Sequence, residues 1–221
     1  MIPDLSPIFS RYEQLRAEAD SIFGQMSEKF PQCVTCSKGC SDCCHALFDL
    51  SLVEAMYINQ AFKAAFDYGA QRSEILTRAA TTDRKLTKYK RELFHMEKNG
   101  ESEAAIMAKA AQIRIPCPLL DDNSCCLLYE ARPITCRLYG VPTVIKNQGH
   151  VCGFSNFSLG NKYPTVHLDK IQARLEALSA EIATTVHSRF TELDQVYVPL
   201  SMALLTEYNE QYLGIGPARE D

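Results

Sequence analysis

Five cysteines stand within twelve residues, at Cys33, Cys36, Cys40, Cys43 and Cys44. Five more return at Cys117, Cys125, Cys126, Cys136 and Cys152. Thiolates are soft metal ligands, and gaps of two and three residues let several sulfurs surround one centre. An isolated cysteine is most often a small buried hydrophobe. Ten in one chain, half of them in one short run, point instead to metal binding.

The two stretches have different grammar. Cys33-x2-Cys36 has the spacing of a metal knuckle, and the run continues to Cys40, Cys43 and Cys44. As helix, Cys33, Cys36, Cys40 and one of Cys43 or Cys44 share a stripe. As loop, they form a nest of sulfurs and amides. Converging thiolates repel one another and raise each other's pKa until a cation relieves the penalty. The second set has longer gaps and cannot close a site alone. It is expected to fold back and complete the first site, which ties metal binding to tertiary folding.

The rest of the chain sets the context. At 221 residues and 46% hydrophobic content it can build a true core and needs no disulfide framework. Net charge is −4, so no global field gathers nucleic acid. The basic stretch Arg84, Lys85, Lys88, Lys90 and Arg91 reads as a solvated helix face. The N-terminus lacks a secretory pattern, and no apolar run reaches the ~18–20 residues that span a bilayer. The expectation is a soluble cytoplasmic protein whose compartment keeps thiols reduced.

The pattern is mainly α. Apolar periodicity predicts a helix over Ser10–Phe30, stopped by Pro31. Ser51-Leu52-Val53-Glu54 is a capping box opening a second helix to about Phe66. Further helices are expected over Gln71–Glu97, Ser102–Ile113, Val166–Phe190 and Pro199–Leu213. Pro133 opens a brief helix toward Cys136. Asp121 to Ser124 reads as a turn. One small β-hairpin is expected, with strands Val141–Ile145 and His150–Phe154 around Lys146-Asn147-Gln148-Gly149. The fold is therefore a helical domain with an irregular cysteine-rich metal-binding core. Residues 1–160 form that domain, and 161–221 a C-terminal helical segment packed on it.

Motifs in the second stretch carry a resemblance. Pro116-Cys117-Pro118-Leu119-Leu120, Cys126-Leu127-Leu128-Tyr129-Glu130-Ala131-Arg132-Pro133 and Cys136-Arg137-Leu138-Tyr139 resemble the YkgJ-type cysteine-cluster family. Its other hallmark is a CxxCxxCC run, matched by Cys36, Cys40, Cys43 and Cys44 with one extra residue after Cys36. The resemblance spans about residues 33–152, while Cys33 and Cys125 lie outside the pattern. It implies a zinc- or iron-chelating domain, associated in some relatives with an iron–sulfur cluster. Related clusters accompany flagellin lysine methylases, so a protein-modifying enzyme is conceivable.

The metal candidates are therefore Cys33, Cys36, Cys40, Cys43, Cys44, Cys117, Cys126, Cys136 and Cys152. Arg132 and Arg137 are candidates to offset the negative charge of a thiolate-bound cofactor. Arg132 could equally pair with Glu130 or a helix end. His45 and His150 adjoin cysteines but are not needed as ligands. His95, His167 and His187 are read as ordinary residues of long helices. All-sulfur ligation suits an iron–sulfur cluster or zinc. Three roles follow: a redox or accessory protein; a zinc-fixed module whose helices from Val166 to Leu213 dock a protein partner; or a modifying enzyme. No nucleic acid and no membrane are expected as partners.

Overall fold

The structure is a computed structural model and describes residues 1–216 apart from Lys38, Lys146 and Leu159. Among the described residues there are seven α-helices: α1 (Ser6–Lys29), α2 (Leu52–Ala65), α3 (Ala70–Lys98), α4 (Glu103–Gln112), α5 (Ile134–Leu138), α6 (Leu168–Thr185) and α7 (Leu200–Leu205). Five short strands complete it: β1 (Asp49–Ser51), β2 (Thr143–Ile145), β3 (Gln148–His150), β4 (Val166–His167) and β5 (Tyr197–Pro199). The mainly helical reading of the sequence holds. None of the described helices is long and apolar enough to cross a membrane.

Local chemistry explains most boundaries. Pro7 lies in the first turn of α1, where its missing N–H costs nothing. The capping box of α2 is present: Glu54 accepts the Ser51 N–H at 3.4 Å and its hydroxyl at 3.2 Å. The Ser102 hydroxyl accepts the Ala105 N–H at 3.2 Å and opens α4.

Helix α2 is the hub, buried along Leu52–Met56 and at Ile58, Asn59 and Phe62. One face, Val53 and Met56, joins Tyr12, Leu15 and Ala19 of α1, Ile134 and Leu138 of α5, and Leu175 and Ile182 of α6. The other face, Ala55, Ile58 and Phe62, packs with Ile75 and Ala79 of α3, Leu119, Leu128, and Ala203 and Leu204 of α7. A smaller cluster of Leu86, Ile113 and Ile115 lies beyond them.

Several expectations are corrected. Helix α6 ends at Thr185, five residues short of Phe190. His187 adopts φ +50°, while its N–H bonds to Thr184 and that of Ser188 to Ala183. This is the Schellman geometry, here built without the usual glycine. Helix α7 stops at Leu205 and does not reach Leu213, because Asn59 donates its side-chain amide to the carbonyls of Ala203 (2.8 Å) and Thr206 (3.0 Å). His167 lies in β4, and only His95 of the three histidines sits within a long helix. The hairpin exists, but its second strand begins at Gln148: Ile145 pairs with Gln148 and Thr143 with His150. Asn147 turns the chain at φ +63°; Lys146 lies outside the described residues.

Two pairings join distant segments. Strand β1 pairs antiparallel with β5, Leu50 opposite Val198. Strand β4 pairs in parallel with β2, Thr143 opposite Val166.

Candidate metal centre

The first cysteine stretch leaves α1 through a tight turn, in which the Cys33 and Val34 amides both donate to the Phe30 carbonyl. Cys36 then meets the second stretch at Gly140. That glycine has φ +101°, and a Cβ there would stand 3.0 Å from the Cys36 Cβ. Only glycine satisfies both the left-handed backbone and the close approach. A 3-10 turn, Asp42–His45, carries Cys43 and Cys44, whose sulfurs lie 4.0 Å apart. The Cys117 N–H donates to the Cys44 carbonyl at 2.7 Å and joins the two stretches by their backbones.

Beyond Cys117 the chain reverses through the expected Asp121–Ser124 turn. The Asp121 carboxylate accepts the amides of Asn123 (2.9 Å) and Cys125 (2.7 Å). Leu120 thereby pairs with Cys126. Cys136 sits on α5, which starts after Pro133 as expected.

One cavity of about 500 Å³ collects these sulfurs. Cys36, Cys40, Cys43, Cys44, Cys117, Cys125, Cys126 and Cys136 all line it. Cys33 lies outside the lining and packs on the hydrophobic cluster around α1. Cys152 is outside too, and its Sγ donates to Asp42 Oδ2 at 3.2 Å. Among the described residues, no group of three or more Cys, His, Asp or Glu side chains is placed so that it could hold a metal ion. What converges is the donor set and the space.

Electrostatics marks Cys43 as the focus. Hydrogen bonds from the Cys136 and Cys44 thiols draw its pKa well down, helped by the Arg132 charge. The same bonds and burial push Cys44 and Cys136 up. Burial also lifts Cys36 to about 11 and Cys117 to about 12, with neighbouring thiols adding to both. Thiols crowded away from water and against one another thus resist ionising together. A bound cation would reverse that balance. The amides of Leu119 and Leu128 already donate to the sulfurs of Cys117 and Cys126.

The two arginines differ. Arg132 donates Nε to the Tyr129 carbonyl at 3.0 Å and lies 3.5 Å over the Tyr129 ring. Its charge acts on Cys36, Cys43 and Cys126. Arg137 is buried, paired with Asp20, and bonded to the carbonyls of Glu130 and Arg132. It braces the turn that presents Arg132. His45 lines the cavity, its Nδ1 2.9 Å from the Ser41 carbonyl, whereas His150 sits exposed on β3.

Sequence reading missed Asp42. Its buried carboxylate takes Arg114, the Cys152 thiol and the Tyr139 hydroxyl. Those three come from widely separated segments, and they pin the turn that holds Cys43 and Cys44. The only local signal was a carboxylate placed inside a cysteine run.

A comparison with family models decides the kinship: residues 35–153, more than half of the chain, match the CxxCxxCC model, a "putative zinc- or iron-chelating domain". The chain belongs to the CxxCxxCC family. The matched span leaves out Cys33 and takes in all eight cavity cysteines together with Cys152. No curated protein and no solved structure matches the chain. The protein is thus a cysteine-rich member of this family, framed by helices outside the family span.

Proposed function

We propose that this CxxCxxCC domain holds an iron–sulfur cluster through its cavity thiolates and serves a redox or accessory role. One observation carries the reading: eight cysteines from two stretches line one cavity of about 500 Å³. A structural zinc takes four ligands and little room. A cubane also takes four thiolates, but fills far more space, and two centres would use all eight. The size of the cavity supports the bulkier guest.

When bound, such a cluster exchanges single electrons at a potential set by net charge, hydrogen bonds to sulfur and exposure. The chain's own residues supply those settings. Cys43 accepts hydrogen bonds from the Cys136 and Cys44 thiols, which favour its thiolate. Arg132 offsets negative charge near it, and the Leu119 and Leu128 amides donate to sulfur. Asp42 and Gly140 hold the two stretches in register.

The test is isolation without oxygen, followed by iron, zinc and acid-labile sulfide analysis and a visible spectrum. Iron with matching sulfide, and a broad absorption lost on oxidation, is the expected result. Colourless protein with stoichiometric zinc would overturn the cluster and favour a structural metal. Protein without metal, its sulfurs joined in disulfides, would sink both.

A further inference from the structure

The basic stretch of α3 carries chemistry that the cysteine cavity does not use. Arg84, Lys88, Arg91, His95 and Lys98 recur at alternating steps of four and three residues. At about 3.6 residues per turn they fall within about 80° of the helix circumference, on a line about 21 Å long. All five are exposed, and Arg84, Lys88, Arg91 and His95 line one shallow groove along the helix surface.

Their charges are not spent inside the molecule. Neighbouring cations are: Lys90 pairs with Asp49 at 2.7 Å, and Lys109 of α4 with Glu92 at 2.9 Å. Arg84, Lys88 and Arg91 have no acidic partner among the described residues, and Arg84 reaches only the Thr81 hydroxyl, at 3.4 Å. Like charges three and four residues apart cost a helix stability. Arg84, Lys88 and Arg91 stand in that relation, and a line of carboxylates beside them removes the repulsion.

The seam is also bounded. Glu74 precedes it on α3, and Glu101 and Glu103 follow it. The chain as a whole carries −4. An anion longer than the seam therefore meets carboxylates at both ends, which favours a short acidic segment over a polynucleotide. Alternating steps of four and three are also the spacing at which two helices stay in register side by side.

We propose that the α3 seam docks an acidic helical segment of a partner protein, its carboxylates recurring at the same steps. Charge complementarity supplies orientation and a fast encounter. Thr82 and Leu86, on the opposite side of α3, line the cysteine cavity. The partner therefore sits one helix diameter from that cavity, about 10–12 Å. The inference goes beyond the cluster reading and holds whichever metal is bound.

The experiment uses the full chain as isolated, with its metal content measured. The probe is a fluorescein-labelled, alanine-rich helical peptide with five glutamates on one seam. A second peptide of the same composition scatters them round the helix. Anisotropy titrations compare wild type, Lys88→Glu/Arg91→Glu, and Lys162→Glu/Lys170→Glu, an exposed double change of equal charge outside α3. The seam peptide should bind wild type saturably, and more weakly as salt rises. Binding should fall about tenfold or more in the α3 variant and stay within about twofold in the control. The scattered peptide should bind wild type about tenfold more weakly. Circular dichroism of the three proteins should coincide, and Lys88→Gln/Arg91→Gln should weaken binding in the same direction. Short single-stranded DNA and phosphatidylserine vesicles are titrated in parallel. No binding of the seam peptide, equal binding by the α3 variant and the control, equal binding of both peptides, or tighter binding of DNA or vesicles overturns the proposal.

Discussion

Glu54 Oε1 accepts the backbone N–H of Ile134 at 3.1 Å, while its Oε2 serves Ser51. One buried carboxylate therefore caps α2 and fixes the start of α5, two residues before Cys136. The buried Tyr12 hydroxyl also bonds to it. Burial raises the Glu54 pKa above its ordinary value, against these hydrogen bonds.

Glu54→Ala should cost about 1–3 kcal/mol, because the Ile134 amide loses its acceptor in the core. Glu54→Gln keeps a carbonyl oxygen for that amide and should cost less. A raised folded-state pKa means that folding favours the protonated form. That contribution is complete below the unfolded-state pKa and is lost as pH rises through the folded one. The stability of wild type relative to Glu54→Gln should therefore fall with rising pH across that window. Urea unfolding at several pH values measures both effects.

The cavity assigns different weights to the cysteines. Cys43→Ser and Cys136→Ser should lower metal content and destabilise the whole fold. Cys125→Ser should be mild although its sulfur lines the cavity, since one four-thiolate centre leaves thiols spare and this one already donates to the Asn123 carbonyl at 3.6 Å. Cys33→Ser and Cys152→Ser should retain metal, because neither sulfur lines the cavity. Metal analysis with thermal melts of the five variants checks this. Full metal in the Cys43 and Cys136 variants would contradict the assignment.

Asp42→Ala removes the shared acceptor of Arg114, Tyr139 and Cys152. Loss of a residue that orients ligands typically costs about 10–100-fold in metal affinity. Competition with a chelator should show a drop of that order. Because Arg114 is partly exposed, the stability loss should stay near 1–3 kcal/mol, below that for a fully buried pair. Unchanged chelator resistance would reduce Asp42 to a packing role.

Gly140→Ala places a methyl 3.0 Å from the Cys36 Cβ at a left-handed backbone. Strain of about 1–3 kcal/mol is expected. The melting temperature should fall together with metal retention. Gly24→Ala, with nothing within 4 Å of its Cβ position, is the matched control and should not destabilise.

Much of this was legible in the residues. Capping signals and apolar periodicity placed α1 to α4 within a few positions: α1, α2 and α4 carry their own start signals, and α3 is long enough for its periodicity to mark it. The meeting of the two sulfur stretches was also readable, since the second could not close a site alone. Other features were hidden for physical reasons. Strands β1 and β5 are three residues each and almost 150 positions apart, so neither has a periodic signature. The ends of α6 and α7 depend on His187 in a left-handed conformation and on the Asn59 amide, neither of which leaves a local mark. The placement of Cys125 and Cys33 left no local mark either: the Asp121 turn swings one to the cavity, and α1 packing draws the other away.

The backbone bond from Cys117 to Cys44 has a consequence for timing. During synthesis the early cysteines leave the ribosome long before residue 117 exists, and α5 comes later still. The chain must hold five unprotected thiols until residues 117–136 arrive to complete the cavity. Oxidants therefore have a window in which to reach those sulfurs before the cavity closes around them.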